Sequence, residues 1–301
     1  MLCLKCKLKI RGTPKYGLHP GCFADWFKTD LQAEFLSLQQ KSVAARESEG
    51  HHHVYTSSFY HGKFKKYSAE LAEERYLLKL RDLDGAPELP EVEYLCNQVA
   101  EILHIPVPPF YYIDFFNEKV FVTKVFIRKN GGIANLEHIY KFMPDHNYDC
   151  ESLIDVIAKT TKRPHDVKIF LETLLFDALI GNHDRHGRNL GFVVTPSNIC
   201  LAPIYDNVSY LSLVSGPMLG ADFNPTGRVA TKETIEPSMF HYVQELKRLG
   251  HQDLVRSFAK KIKLSTIELL IHQSFCSEPM KTALMGLIQK RFKELINELH
   301  A

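Results

Sequence analysis

Apolar positions along the chain fall into blocks with distinct periods. Between Val167 and Ile180 they recur at three and four positions, which predicts a buried helix. Leu190–Val194 reads as a short strand, Thr195–Asn198 as a turn and Ile199–Ile204 as a returning strand. Farther upstream, Phe110–Asp114 and Lys119–Ile127 read as paired strands with Phe116, Asn117 and Glu118 in the turn, and Arg75–Leu80 is a short apolar run carrying Lys79. Glu88–Leu103 has Pro90 near its start, acids in its first turn and an apolar face at Val92, Leu95, Val99 and Leu103, as a helix requires. The stretch from Phe23 through Leu38 looks helical, with the only tryptophan, Trp26, on its apolar face. Gln39–His53 is polar and reads as a linker; its run His51-His52-His53 is too short to claim as a metal site. From Met239 onward, Met285, Leu287, Ile288, Phe292, Leu295 and Ile296 mark helical patterns, and no internal repeat is visible.

One polar block interrupts this pattern with a particular set of groups. Gly181-Asn182-His183-Asp184-Arg185-His186-Gly187-Arg188-Asn189 places a carboxylate and a carboxamide five residues apart, and a second carboxylate follows at Asp206. Such spacing recurs by chance in solvated turns. Here it follows a buried helix and precedes a hairpin that ends at an acid, the order of a catalytic loop followed by a metal-binding aspartate. Phosphoryl transfer from a magnesium nucleotide needs this set: Asp184 to orient the proton of an attacking hydroxyl, Asn189 to hold a metal ion, and Asp206 to bridge metal and phosphate oxygens.

The block Asn182–Asn189, followed by Leu201-Ala202-Pro203-Ile204-Tyr205-Asp206, resembles the signature of the HipA-like serine/threonine kinases, toxins of bacterial toxin–antitoxin modules. The resemblance runs from about Thr56 to the C-terminus. Its Asp-Arg-His-x-x-Asn core is also similar to that of phosphatidylinositol kinases, while the flanking Leu-Ala-Pro-x-Tyr-Asp favours the HipA group. It implies an α+β, bilobal protein-kinase-like fold, with a β-rich nucleotide-binding N-lobe over 51–128 and a helical catalytic C-lobe over 129–301; the residues before it read as an N-terminal Cys/His segment and linker over 1–50. Asp184 would be the catalytic aspartate, with Asn189 and Asp206 as magnesium ligands. Arg185 and His186 would brace the loop, and His186 is grouped with the nucleotide-binding residues. Lys79 would be the ATP lysine, paired with Glu93 or Glu91. Lys124, Val125 and Phe126 are positional candidates for the adenine-binding hinge.

The chain departs from the family's Ser-x-Ser-Gly-x-Gln-x-Lys phosphate loop, having Thr56-Ser57-Ser58-Phe59-Tyr60-His61-Gly62-Lys63. A phenylalanine where the family has glycine restricts positive φ and close approach to phosphate, so Lys63 is the better candidate for an ATP contact. Thr56, Ser57 and Ser58 are candidate phosphoacceptors for self-modification. After Asp206, the Gly/Pro-rich loop Ser215–Arg228 is a candidate seat for a protein substrate. The segment before Thr56 is short for the extra domain of full-length HipA-like toxins. The resemblance is therefore closer to the short HipT toxins of three-component modules, which implies a separate small antitoxin docking on the N-lobe. The alternatives are a phosphoinositide or other small-molecule kinase, a metal-dependent hydrolase using His183, Asp184 and His186, and a binding-only pseudokinase. The first needs a basic loop after Asp206, where only Arg228 and Lys232 stand. The hydrolase lacks a second histidine pair, and the pseudokinase is disfavoured because Lys79, Asp184, Asn189 and Asp206 are all present.

Composition narrows the picture further. The chain has 301 residues, 45% of them hydrophobic and 24% charged, enough for a bilobal globular protein. Its formal net charge of +2 offers no case for direct nucleic-acid binding. There is no apolar run long enough to cross a bilayer and no secretory-signal pattern, and the expectation is a protein of the bacterial cytoplasm. Seven cysteines, an odd number, argue against a disulfide framework. Cys3-x-x-Cys6 and His19-x-x-Cys22 have the two-plus-two spacing of a tetrahedral structural zinc site, with Gly17 and Gly21 allowing tight knuckles.

Overall fold

The computed structural model describes residues 1–40, 66–127, 134–143 and 147–300. The phosphate-loop stretch Thr56–Lys63 and the linker beyond residue 40 lie outside the described residues. The chain divides into two compact units, Met1–Tyr94 with Pro108–Phe126, and Leu95–Val107 with Ile127–Ala301.

The first unit is built on an antiparallel sheet of β1 (Leu36–Gln40), β2 (Lys66–Leu71), β3 (Glu74–Lys79), β4 (Phe110–Phe115) and β5 (Glu118–Lys124), in the order β1-β2-β3-β5-β4. Two of its hairpins turn through pairs of residues with positive φ, Ala72-Glu73 and Phe116-Asn117. That backbone matches the right-handed twist of the flanking strands. Helix α1 (Pro20–Phe27) starts at a proline and ends where Lys28 enters the left-handed region at φ 51°. The helix expected through Leu38 therefore stops at Phe27, and Leu36–Gln40 pairs with β2 as an edge strand. The reason is tertiary. Phe27 and Phe35 both set their rings edge-on to Tyr76 of β3, and Tyr16 stacks on Phe115 of β4. A continuous helix would carry Phe35 away from this aromatic cluster. The Asp114 N–H donates to the Tyr16 carbonyl at 3.0 Å, fastening the N-terminal segment to β4. Helix α2 (Leu89–Ile102) begins in the first unit and continues from Leu95 in the second; it buries Leu89, Val92, Leu95, Cys96 and Val99, the face its spacing predicts.

The second unit is mainly helical. It comprises α3 (Cys150–Thr161), α4 (Pro164–Ile180), α5 (Met239–Arg248), α6 (Gln252–Lys261), α7 (Leu264–Gln273) and α8 (Glu278–His300), with a small antiparallel sheet of β6 (Asn135–His138), β7 (Gly191–Val194) and β8 (Ile199–Leu201). Helix α4 is buried on every side from Ile169 to Ile180, with α3, α5, α6 and α8 packed around it. Its buried acids are all answered: Asp166 accepts from the Leu201 N–H at 2.9 Å, and Glu172 from Lys261 at 2.7 Å. Asp149 caps α3 by accepting from the Ser152 N–H at 2.9 Å. The polar loop singled out in the sequence leaves directly from the end of this central helix.

Candidate active site

Helix α4 ends at Gly181, which lies at φ +69° in the left-handed region. A Cβ there would stand 2.7 Å from both Leu287 and Pro225, so conformation and space both call for glycine. The chain then turns into the loop 182–189, whose backbone is fixed largely from beneath by one buried side chain. Arg185 is 1% exposed. Its Nε and Nη2 clasp the Asp177 carboxylate at 2.8 and 2.9 Å, its Nη1 donates to the carbonyls of Asn189 and Tyr205 at 3.0 and 2.7 Å, and its Nη2 also reaches Asn207 Oδ1 at 2.7 Å. Burial alone would disfavour the guanidinium charge; the Asp177 carboxylate more than offsets it and raises the pKa.

On this support Asp184 presents an exposed carboxylate, with 74% of its side chain accessible. Its backbone is set by Asn182, whose Oδ1 accepts the Asp184 N–H at 2.9 Å. Asn189 Nδ2 donates to the Asp184 carbonyl at 2.8 Å and approaches its carboxylate at 3.4 Å. That leaves the amide oxygen as the end of Asn189 available to a cation. His186 takes the Arg188 N–H on Nδ1 at 3.1 Å and turns Nε2 toward Asp184 at 3.6 Å. Burial pushes the Tyr148 and Tyr205 phenols up, and both stay protonated to donate to loop carbonyls, Tyr148 to Arg185 at 2.8 Å and Tyr205 to Arg188 at 3.0 Å.

Asp206 is half-buried and held at φ +53°, a left-handed conformation that aspartate tolerates better than most residues. Its neighbours Tyr205 and Asn207 are both held by Arg185, and Asn207 also donates to Asn97 at 3.0 Å. One guanidinium thus ties the loop bearing Asp184 and Asn189 to the segment bearing Asp206. Asn189 and Asp206, the residues expected to hold a metal, offer oxygen donors only, the type that suits a hard cation such as magnesium.

In the first unit, Lys79 at the end of β3 is 4% exposed and forms an ion pair with Glu93 of α2, itself 1% exposed. Of the two acids the sequence left open, Glu93 takes Lys79. Glu91 pairs instead with Arg81 and accepts from Tyr112 Oη at 2.5 Å. Among the hinge candidates, Lys124 pairs with Glu74 at 2.9 Å, and the N–H groups of Lys124 and Val125 are committed to Pro109 and Arg75. Phe126 is the last residue of its unit. Lys63, Thr56, Ser57 and Ser58 lie outside the described residues.

Cys3, Cys6, His19 and Cys22 converge, with all their ligand atoms within 4.8 Å of one another. His19 Nδ1 lies 3.4 Å from Cys6 Sγ and 3.8 Å from Cys22 Sγ. Bond lengths of about 2.0–2.3 Å to a tetrahedral zinc put ligand atoms roughly 3.5–3.8 Å apart. His19 Nε2 donates to the Lys9 carbonyl at 3.2 Å, which selects the tautomer whose Nδ1 lone pair faces the cysteines. Burial raises the Cys3 thiol, but the backbone N–H groups of Cys6, His19 and Lys5 bring it down to about 6.

Sequence reasoning passed over Asp177, Tyr148 and Asn207. The available signal was an acid inside an otherwise apolar helix end, since a carboxylate buried there must meet a cation.

The fold and this loop define a bilobal, α+β protein-kinase-like class. The chain matches the HipA-like C-terminal domain over residues 38–268, and it belongs to that family. It is similar to a protein of Sinorhizobium fredii named as a kinase, Y4dM, at 26% identity over 164 residues, covering 47% of this chain and 39% of that protein. The chain thus spans well under half the length of that curated relative. Its fold is similar to a Helicobacter pylori proinflammatory kinase, CtkA (TM-score 0.66, 18% identity, 79% of this chain and 94% of that one). It is also similar to HipA of Shewanella oneidensis, solved with HipB and operator DNA (TM-score 0.59, 15% identity, 90% and 75%). Among the described residues no helix is long and apolar enough to cross a membrane.

Proposed function

We propose that the chain is an ATP- and magnesium-dependent serine/threonine protein kinase acting as the toxin of a HipA-type module. The observation that carries this reading is the loop 182–189, where an exposed Asp184 carboxylate stands on a backbone held by the fully engaged Arg185. Asp184 accepts and orients the acceptor hydroxyl, and Asn189 and Asp206 hold the metal. Magnesium bound there supplies charge neutralisation at the phosphate oxygens. Lys79, paired with and oriented by Glu93, neutralises nucleotide phosphates, as does Lys63. The Lys124–Phe126 stretch borders adenine through groups other than the Lys124 and Val125 N–H, which are committed to Pro109 and Arg75. Positioning and electrostatics supply most of the rate, because the transition state asks little covalent chemistry of the protein.

The test is intact mass after incubation with magnesium and ATP, for wild type and Asp184→Asn, alongside label transfer from ATP to a general protein acceptor such as casein. Phosphate gain on chain or acceptor with wild type alone supports the reading, and peptide mapping then decides among Thr56, Ser57 and Ser58 as self-modified residues. Nucleotide binding without any transfer would instead favour a binding-only pseudokinase. A separate small antitoxin is the partner this reading carries; co-purification with the product of a neighbouring gene tests it.

Zinc at Cys3, Cys6, His19 and Cys22 is the second part of the proposal, supported by the ligand spacing and the His19 tautomer. Its role is structural, since Tyr16 between the ligands and Phe23 directly after the last of them pack into the aromatic cluster on the sheet. Metal analysis of the purified chain should give one zinc per molecule, reduced by Cys6→Ser; a metal-free chain of unchanged stability would count against it.

A further inference from the structure

The segment Pro225–Ala230 is tied to the catalytic loop at both flanks of Asp184. On one side, His183 Nδ1 donates to the Thr226 carbonyl at 3.0 Å. On the other, Tyr148 donates its hydroxyl to the Arg185 carbonyl at 2.8 Å, while its own carbonyl accepts the Ala230 N–H at 3.1 Å. The segment is anchored independently of the loop. The Gly227 N–H reaches the Pro237 carbonyl at 2.7 Å, and Tyr242 Oη donates to the Val229 carbonyl at 3.0 Å. Gly227 passes so close to Tyr242 that an added Cβ would stand 2.1 Å from the hydroxyl. At the head of the segment, Arg291 of α8 is 1% exposed and donates Nη2 to the Pro225 carbonyl at 2.7 Å and Nη1 to Glu294 at 2.7 Å. A buried guanidinium spent on a loop carbonyl costs desolvation, and its Nε finds no hydrogen-bond acceptor. Arg291 is therefore placed where its main return is the position of Pro225, which in turn packs against Gly181 at the start of the catalytic loop.

We propose that Pro225–Ala230 is a strap that sets the position of Asp184, with Arg291 and His183 as its positioning residues. The inference rests on the kinase reading for its catalytic consequence, but its structural core does not. Neither residue need touch substrate. A hydroxyl awaiting phosphoryl transfer must sit within hydrogen-bond reach of Asp184, and a displacement of about 1 Å costs on the order of a hundredfold in rate. A strap clamped to residues 183 and 185 holds the intervening carboxylate without occupying the space in front of it. Because the strap is exposed at Arg228, an acceptor protein lying along it would register against the same element that fixes Asp184.

The experiment compares wild type, Arg291→Met, His183→Leu and His183→Asn in the full chain. Amide hydrogen exchange should speed up about tenfold across 182–189 and 225–230 together in the first two variants, while β7 and β8 exchange at the wild-type rate. His183→Asn, which keeps a donor for Thr226, should restore the slow rates. In the transfer assay with magnesium, ATP and casein, kcat should fall about tenfold or more in Arg291→Met and His183→Leu, with nucleotide KM unchanged. Wild-type exchange of the 182–189 amides in both variants would overturn the strap. If Arg291→Met fails to fold, His183→Leu and its rescue decide alone. Absence of transfer by wild type would sink the kinase reading, whereas the exchange result would still decide the coupling.

Discussion

Replacing Arg185 by lysine is the sharpest test of how the loop 182–189 is held. A guanidinium has five N–H donors, and here each has an acceptor: both Asp177 oxygens, the Asn189 and Tyr205 carbonyls and Asn207 Oδ1. An ammonium has three donors, so in Arg185→Lys at least two buried acceptors lose their partner while the charge itself is kept. Each orphaned acceptor costs about 1–3 kcal/mol, giving about 2–6 kcal/mol in all. For a unit of about 150–250 residues, 1 kcal/mol moves the melting point by about 2–4 °C, so calorimetry should show a drop of roughly 4–24 °C. Transfer activity should fall further than stability accounts for, since Asp184 and Asp206 both lose their common support. Melting within about 2 °C of wild type would refute the reasoning, because it would mean that charge alone, without the fork, suffices at this site.

Gly181→Ala meets both a positive φ and side chains 2.7 Å away, and should cost about 2–4 kcal/mol in denaturant unfolding, with Leu287→Ala in the same chain recovering part of the loss. Lys79→Met removes the charge partnered by Glu93 and should lower transfer by about a hundredfold or more, while the sheet keeps its strand signal in circular dichroism. Burial lowers the pKa of His251, so its neutral form is favoured in the folded chain. Its contribution to stability is complete above the unfolded value of about 6.5 and is lost as pH falls through the lower folded value. Unfolding measured between about pH 7 and 5 should therefore show a loss toward acid that His251→Gln reduces.

Local pattern was sufficient for elements whose neighbours all ask for the same thing. Helix α4 is buried on every side from Ile169 to Ile180 and ends at a glycine, and strands β4 and β5 are apolar runs joined through Phe116-Asn117, so period and turn placement agree. It was insufficient where tertiary contacts choose. Leu36–Gln40 is a strand because β2 offers it backbone partners and Phe35 is drawn into an aromatic cluster, neither of which is visible within the segment. Strand β6 and helix α3 were likewise not read, as the first is short and half-polar and the second is punctuated by charged residues.

The same division runs through the candidate site. The amino-acid sequence by itself determined which chemistry was on offer: Asp184, Asn189 and Asp206 carry oxygen donors whatever the fold, Lys79 carries a cation, and three thiols with an imidazole at Cys3, Cys6, Cys22 and His19 carry a zinc donor set. Only the tertiary structure decided how they are used. It assigned Glu93 rather than Glu91 to Lys79, made Arg185 the common support of two distant segments, and brought residues 16 positions apart, Cys3 and His19, into one cluster. The physical reason is that donor type is a property of one side chain, whereas a buried charge is stable only where the fold supplies its partners, and those partners come from anywhere in the chain.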